Sequence, residues 1–375
     1  MKRYLFERIH RDLAKKMVIL TGPRQVGKTW LAKALMEKFS YPQYLNFDNS
    51  ADARIIKGQT WPQDADLLIL DEIHKMKSWK RFIKGVYDTR PAGQAILITG
   101  SSRMETYRQA GESLAGRYFA YRLDPISVRE LQPGLPPKEA LDRLARFGGF
   151  PEPLLSNSED EAARWRNQYL TDLVREDILE FSRIQEIRAI RLLVEMLRDR
   201  VGSPLSYTGL AGDLQIAPNT VRKYLDILES LCIIFLVRPF HANIPRSVLK
   251  EPKAYFFDSG AVLAGEGARF ENTCAVCLLK RVHFLQDTKG AVCSLHYVRT
   301  RDGREVDFAL SEGKHLTHLL EAKVSVSKPS AGLRYFHERH PEAVALQLVK
   351  NLRQEETVSG ITVANAAAWL AKLEA

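Results

Sequence analysis

A chain of 375 residues is about two and a half times a typical single domain, which predicts two or three domains, each large enough to bury its own core. With 45% hydrophobic and 27% charged residues it matches a soluble globular average, excluding wholesale disorder, collagen-like repeats and a disulfide scaffold. The net charge of +10 gives a general attraction to polyanions such as nucleic acid or anionic lipid, without distinguishing them.

The longest unbroken apolar stretch, Leu231 to Val237, is far short of the roughly 20 residues needed to cross a bilayer. Met1-Lys2-Arg3 leads into alternating charges instead of an apolar leader, so a cytoplasmic protein with no membrane partner is expected. Four cysteines are too sparse for an oxidised framework, and a reducing compartment keeps them as thiols.

The first third alternates short apolar runs with helical stretches: Met17 to Leu20, a helix from Thr29 to Phe39, Leu67 to Leu70, and Ala95 to Ile98. Runs of this length, separated by crossover-length segments, predict central strands of a parallel sheet in an α/β domain. Gly22-Pro23-Arg24-Gln25-Val26-Gly27-Lys28-Thr29 follows the first strand and opens the first helix, matching G-x-x-x-x-G-K-[ST] in its expected context. The glycines let backbone N–H groups curl around phosphate oxygens at the positive end of the helix. Lys28 would neutralise the β/γ phosphates and the Thr29 hydroxyl would take a Mg²⁺ site, with Trp30 completing the nucleotide-binding stretch.

Asp66 to Glu72 is an apolar strand ending in two carboxylates. Asp71 would hold Mg²⁺ and Glu72 would act as base toward the attacking water. The strand Ala95 to Thr99 ends in Gly100-Ser101-Ser102, where Ser101 would position that water, the alternative being a Ser/Gly turn without a role. In Ser113-Leu114-Ala115-Gly116-Arg117, just before an expected strand from Tyr118 to Leu123, Arg117 is either a trans-acting finger completing a neighbouring subunit's site in a homo-oligomer or a solvated arginine.

Proline-rich Gln132 to Pro137 and the segment Gly148 to Pro153 break the α/β pattern. From Glu159 to about Asp199 the spacing of Trp165, Tyr169, Leu173 and then Ile190, Leu193, Leu197 predicts two amphipathic helices. Leu210 to Leu214, a turn at Gln215 to Asn219, and Val221, Leu225 and Leu228 form a helix-turn-helix pattern, with Leu231 to Val237 as a wing strand. Asn219, Thr220, Arg222 and Lys223 on its second helix would contact DNA, although such modules also serve as packing elements and Asp226 and Glu229 dilute the charge.

Strands resume from about Ala254, interrupted by a helix from Phe270 to Val282. Arg304 to Leu310 and Leu319 to Val324 predict a hairpin about Gly313, with Asp307 opposite Leu319 and next to Glu321. Asp307, Glu321 and Lys323 form a D…E-x-K arrangement in which the two carboxylates would hold a metal and the lysine would assist cleavage of a phosphodiester, Glu271 adding a further oxygen. The alternative is a hairpin with solvated charges. Cys274, Cys277, Cys293 and His296 have zinc-like spacing, but an offset of three along a strand sends Cys293 and His296 to opposite faces, which favours free thiols.

The TGPRQVGKT loop, the LDE strand end, Thr99 to Ser102 (TGSS), Leu114 to Arg117 (LAGR), Gly148 to Glu152, Arg175 to Ile178 and Pro252 to Gly260 together resemble a family of AAA-type ATPases carrying a C-terminal region of unknown function. The resemblance implies an ATPase core over residues 1–132, a helical and winged-helix region over 133–240, and an α/β domain similar to restriction endonucleases over 241–375. The expected function is Mg²⁺-dependent ATP binding and hydrolysis coupled to nucleic acid. The alternatives are an ATP-regulated metal-dependent nuclease and a regulatory ATPase that binds a protein partner.

Overall fold

The computed structural model describes residues 2–101, 114–132, 134–173, 184–240, 251–325 and 328–375. Ser102, Ser113 and the segment Arg175 to Ile178, named above, lie outside them. The chain divides into two compact units, Met1–Asp124 and Pro125–Ala375.

The first unit is built on a parallel sheet of β1 (Met17–Thr21), β2 (Pro42–Asn46), β3 (Leu67–Asp71), β4 (Ala95–Thr99) and β5 (Tyr118–Arg122), in the order β2-β3-β4-β1-β5. The apolar runs expected as central strands are β1, β3 and β4, buried along their whole length. β2 is the strand that hydropathy does not announce. Its sequence PQYLN lies at the sheet edge with only Leu45 buried, so no apolar run is needed there. Helices α1 (Phe6–Leu13), α2 (Lys28–Met36), α3 (Ser50–Gly58) and α4 (Trp79–Thr89) accompany the sheet. One apolar cluster joins Ile19, Leu68, Leu70, Ile96 and Ile98 of the strands to Ile56 of α3 and Trp79 and Ile83 of α4.

The second unit opens with α5 (Val128–Leu131), α6 (Pro137–Phe147), α7 (Pro151–Ser156), α8 (Glu159–Asp172), α9 (Ile184–Arg198), α10 (Tyr207–Leu214) and α11 (Pro218–Ser230). Its strands are β6 (Ile234–Pro239), β7 (Lys253–Phe256), β8 (Cys293–Arg299), β9 (Glu305–Glu312), β10 (His315–Lys323), β11 (Val344–Val349), β12 (Glu356–Val358) and β13 (Ile361–Asn365). Among the described residues these form one sheet in the order β12-β13-β11-β10-β9-β8-β6-β7. The expected limit at 240/241 therefore falls between β6 and β8, which pair in parallel through Arg238 with His296 and Pro239 with Tyr297. Local hydropathy cannot reveal a hairpin joining a sheet made by later sequence.

Helix α12 (Gly265–Lys289) is longer than the expected Phe270 to Val282, because half-exposed polar residues continue it to a left-handed Gly290 that closes on the carbonyls of Leu285 and Gln286. Its buried Asn272 donates from Nδ2 to the Phe256 carbonyl and accepts from the Phe256 N–H, both at 2.8 Å, pairing with the edge strand β7 as another strand would.

The glycines in two of the resemblance segments have a steric cause. Arg166 of α8 donates to Asp258 (2.6 Å) and to the Phe147 carbonyl (2.8 Å). A Cβ on Gly148, whose φ is +78°, would fall 1.7 Å from Asp258 Oδ1, and one on Gly260 would fall 1.8 Å from Arg166 Nη2. The backbone conformation at Gly148 costs any other residue about 1–3 kcal/mol before the clash is counted. Gly148→Ala should therefore lower the thermal stability of the second unit by at least that much, measured as loss of amide-exchange protection in α8 and α12. Unchanged protection would mean that the ion pair relaxes freely.

Candidate functional site

The loop between β1 and α2 is shaped by three left-handed residues, Gly22 (φ 145°), Gln25 (φ 60°) and Gly27 (φ 98°). At Gly22 a Cβ would fall 2.4 Å from the Leu123 carbonyl oxygen, so the close approach of the loop to the chain after β5 requires glycine. Behind the loop the buried Arg3 donates to the carbonyls of Val26 (2.7 Å) and Asp124 (2.5 Å). Within it, Lys28 Nζ donates to the carbonyls of Gly22 (3.0 Å) and Pro23 (2.6 Å), stretching the side chain across the concavity. Of the remaining loop residues, Val26 and Pro23 are buried, Arg24 is half-buried and Gln25 and Thr29 are exposed. Trp30 is half-exposed in the first turn of α2.

Strand order brings the carboxylate of Asp71 to the start of α2. Asp71 Oδ2 accepts from Thr29 Oγ1 (2.9 Å) and Tyr44 OH (2.7 Å), and Oδ1 accepts from Thr99 Oγ1. The buried charge is thus held by hydroxyls from α2, β2 and β4. Burial and the adjoining Asp71 carboxylate push the Tyr44 phenol upward, keeping it a donor. Thr29 and Asp71 are hard oxygen donors side by side at the loop, a set that fits Mg²⁺ with water completing its shell. Tyr44 carries no motif that would mark it; only strand order brings it to Asp71.

Glu72 follows in a left-handed conformation (φ 56°). Burial raises its carboxyl, opposed by Lys28 and reinforced by Asp71. His74 lies in the succeeding short turn Ile73–Lys75, with Nε2 at 3.4 Å from Ser101 Oγ and 3.6 Å from Glu72 Oε2. Glu72 and Ser101, expected separately, are linked by a residue the sequence did not single out. Arg117 lies just before β5 and donates from Nε and Nη2 to the two carboxylate oxygens of Asp88 at 2.8 and 3.0 Å, a pairing within its own unit.

In the second unit, α10 and α11, the two helices on which a helix-turn-helix was expected, follow one another across a left-handed Gln215. Asn219, Arg222 and Lys223 are exposed and Thr220 is half-buried. Arg222 lies over the Tyr207 ring at 4.7 Å and Lys223 reaches Glu186 at 3.8 Å.

The hairpin of β9 and β10 departs from the symmetric register. A bulge between Leu316 and His318 admits Thr317 as an extra residue, its hydroxyl donating to the Leu310 carbonyl (3.1 Å), and Leu319 pairs with Ala309 and Leu320 with Phe308. Asp307 therefore meets Glu321 and the start of its neighbour Ala322, not Leu319: the Asp307 N–H points to Glu321 Oε2 (3.4 Å) and the Ala322 N–H donates to Asp307 Oδ2 (2.9 Å). Lys323 pairs with Glu321 at 2.7 Å.

Three residues not anticipated join them. Lys253 of β7, 1% exposed, directs its ammonium to Glu305 (2.5 Å), Glu271 (3.8 Å) and Asp307 (3.9 Å), and Tyr255 donates to Glu271 (2.7 Å). Burial pulls the Lys253 ammonium down, but Glu271, Asp307 and Glu305 together outweigh it and hold it above its ordinary value. Burial and then Asp307 push Glu271 up to about 8 and Glu321 up to about 7. Asp307 and Glu321, the residues expected to hold a metal, are brought together, with the Lys253 ammonium 3.9 Å from Asp307; among the described residues no group of three or more His, Cys, Asp or Glu side chains is placed to hold a metal.

Cys274 and Cys277 are buried in α12. Cys293 begins β8 with its thiol toward the Val282 carbonyl (3.6 Å), and the His296 ring meets Phe240 edge-on at 5.6 Å. Burial raises both helical thiols. Among the described residues no helix is long and apolar enough to cross a membrane.

Residues 14–132 match the family model described as AAA domain, and residues 138–270 match one described as a domain of unknown function (DUF8612). The first unit, with its parallel sheet and phosphate-type loop, is consistent with a P-loop NTPase domain and is similar to the AAA domain over the matched residues. An uncharacterized protein of Mycobacterium tuberculosis is 29% identical over 246 residues, 65% of this chain and 54% of the relative. The chain thus spans about half the length of that relative. An uncharacterized protein of Methanocaldococcus jannaschii is 25% identical over 348 residues, covering 82% of this chain and 76% of the relative. A variant of RuvB from Thermotoga maritima superposes with a TM-score of 0.30 at 17% identity, over 61% of this chain and 88% of that one.

The raised carboxyls of Glu271 and Glu321 have a sign that can be tested. Carboxyls raised in the folded state contribute stability that is full below their unfolded value, about 4.3, and is lost as pH rises through their folded values. Exchange protection in α12 and β9 should fall as pH is raised from about 5 to 9, beyond the intrinsic pH dependence of exchange, with Glu271→Gln flattening the upper part of the decline. A flat profile in the parent chain would mean that Lys253 and Lys323 fully compensate both carboxylates.

Proposed function

We propose that the chain is a Mg²⁺-dependent, ATP-hydrolysing AAA-type switch whose turnover is coupled to nucleic-acid binding. The observation that carries the reading is the meeting of Thr29 and Asp71 at the mouth of the loop, with Glu72 next in sequence and Ser101 beyond it. The backbone N–H groups from Arg24 to Thr29 cradle phosphate, and Lys28 exchanges its two carbonyl partners for β/γ oxygens. Trp30 borders the nucleotide from the first turn of α2. Mg²⁺, when bound, supplies positive charge against those oxygens. Thr29 and Asp71 are the residues that would hold it.

Glu72 takes the proton from the attacking water, and Ser101 orients that water through its hydroxyl. Arg117 acts as a finger in a homo-oligomer only after leaving Asp88. The net charge of +10 and the exposed Asn219, Arg222 and Lys223 support nucleic acid as the coupled partner, in a cytoplasmic setting.

The test is ATP turnover by the purified chain with Mg²⁺, with and without single- and double-stranded DNA at low salt. Hydrolysis stimulated by DNA is the expected result; hydrolysis indifferent to DNA would favour a regulatory ATPase with a protein partner, and absence of hydrolysis would overturn the reading. Lys28→Ala should abolish nucleotide binding or turnover. Glu72→Gln should bind ATP and slow hydrolysis by about 100-fold or more, and normal turnover in that variant would remove Glu72 as the base. Replacing Asn219, Arg222 and Lys223 together by alanine should weaken DNA binding and flatten its salt dependence, the slope falling by about one to two for the two lost cations.

A further inference from the structure

The proposed chemistry leaves unused the side chain that stands between its base and its water-orienting hydroxyl. His74 is nearly enclosed, its side chain 7% exposed, and one ring nitrogen, Nε2, lies within reach of both Ser101 Oγ and Glu72 Oε2. The backbone imposes this meeting. The left-handed Glu72 is pinned by its N–H to the Thr99 carbonyl (3.0 Å) and by its own carbonyl to the Lys75 N–H (3.1 Å). Ile73 is fully buried and Lys75 pairs with Asp48, so the turn carrying His74 is anchored on both sides of the ring.

A glutamate at a strand end has several staggered rotamers, whereas proton abstraction needs its carboxylate held at a water that Ser101 also contacts. The end of β4 delivers Ser101, and the end of β3 delivers Glu72 one residue past the strand. No backbone hydrogen bond can hold the two side-chain tips together. A ring nitrogen at hydrogen-bond distance from the Ser101 hydroxyl and at ion-pair distance from the Glu72 carboxylate can.

We propose that His74 is a positioning residue for ATP hydrolysis, holding the Glu72 carboxylate and the Ser101 hydroxyl in one register so that both face the same water. The proposal rests on the ATPase reading and adds the means by which its base is aimed. His74 acts through Glu72 and touches neither phosphate nor metal. Its removal therefore affects turnover and leaves nucleotide affinity in place. A glutamine side chain at this position would retain an N–H donor at similar reach, so His74→Gln restores part of the function that His74→Ala loses.

The experiment compares the full chain with His74→Ala, His74→Gln, Glu72→Gln and the Glu72→Gln/His74→Ala double variant. It measures Mg²⁺-ATP turnover and the binding of a fluorescent ATP analogue, with circular dichroism confirming the fold. The expected result for His74→Ala is a kcat about 10- to 100-fold lower, the loss typical of a misplaced catalytic group, with nucleotide affinity kept within about 3-fold. His74→Gln should recover most of that loss, and the double variant should be no slower than Glu72→Gln alone, because a residue acting through another has nothing left to position.

Parent-like turnover in His74→Ala, or a loss that multiplies fully onto that of Glu72→Gln, overturns the proposal while leaving the ATPase reading intact. A parent chain that binds nucleotide without hydrolysing it overturns both. Should His74→Ala not fold, His74→Gln and His74→Asn decide: recovery in neither, with nucleotide binding weakened in both, assigns the ring to packing and overturns the proposal.

Discussion

One buried carboxylate organises the first unit. Asp71 ends the central strand β3 inside a layer of parallel strands, where an unaccompanied negative charge would be strongly unfavourable. Three hydroxyls meet it, from Thr29, Tyr44 and Thr99. Each comes from a different element, so the requirement to satisfy one charge sets the mutual placement of α2, β2, β3 and β4. The phosphate-type loop, the base that follows Asp71 and the serine beyond β4 are then neighbours as a consequence of that arrangement. Hydroxyls also suit the role, because they can yield the carboxylate to a stronger cationic partner without leaving a buried charge of their own.

The loop, Asp71 and Glu72 were legible in the sequence because their chemistry is written in contiguous residues whose backbone geometry is local. Glycines at positive φ and an apolar run ending in carboxylates need no knowledge of the rest of the chain. Tyr44 and His74 were not legible. Tyr44 reaches Asp71 only because an edge strand of mixed composition aligns with β3, and His74 reaches Ser101 only because β4 lies beside β3. In the second unit the pairing of Asp307 with Glu321 was visible as a pattern, but its register was not. The two-residue turn at Gly313 and Lys314 moves the partners one position from symmetry and the inserted Thr317 moves them one more, and nothing in the local sequence marks the bulge. Lys253 and Glu305 escaped for a third reason. Lys253 belongs to a strand that follows the helix-turn-helix, and only its alignment at the edge of the larger sheet delivers its ammonium to carboxylates of later strands.

The polar cluster of the second unit answers the same physical problem as Asp71 by another route. Where the first unit uses neutral donors, the second places two lysines among four acidic groups, Lys253 among Glu271, Glu305 and Asp307, and Lys323 on Glu321. The compensation is incomplete for Glu271 and Glu321, whose carboxyls remain raised by burial and by Asp307. Burying ammonium against carboxylate is a costly way to fill a core, and its cost depends on every partner remaining in place.

The pairing of Asn272 with Phe256 has a consequence for how the larger sheet meets other molecules. A strand at the margin of a sheet is an open template on which a second chain can extend the ladder. At β7 the amide of Asn272 already occupies a donor and an acceptor at Phe256, and the N–H groups of Gly202 and Leu205 donate to the carbonyls of Ala254 and Pro252 further along. The opposite margin, β12, is three residues long, exposed and begins with a glutamate. Both ends of the sheet are thereby terminated, one by an amide that imitates a neighbour and one by brevity and charge, so the sheet resists growing into a fibrillar stack.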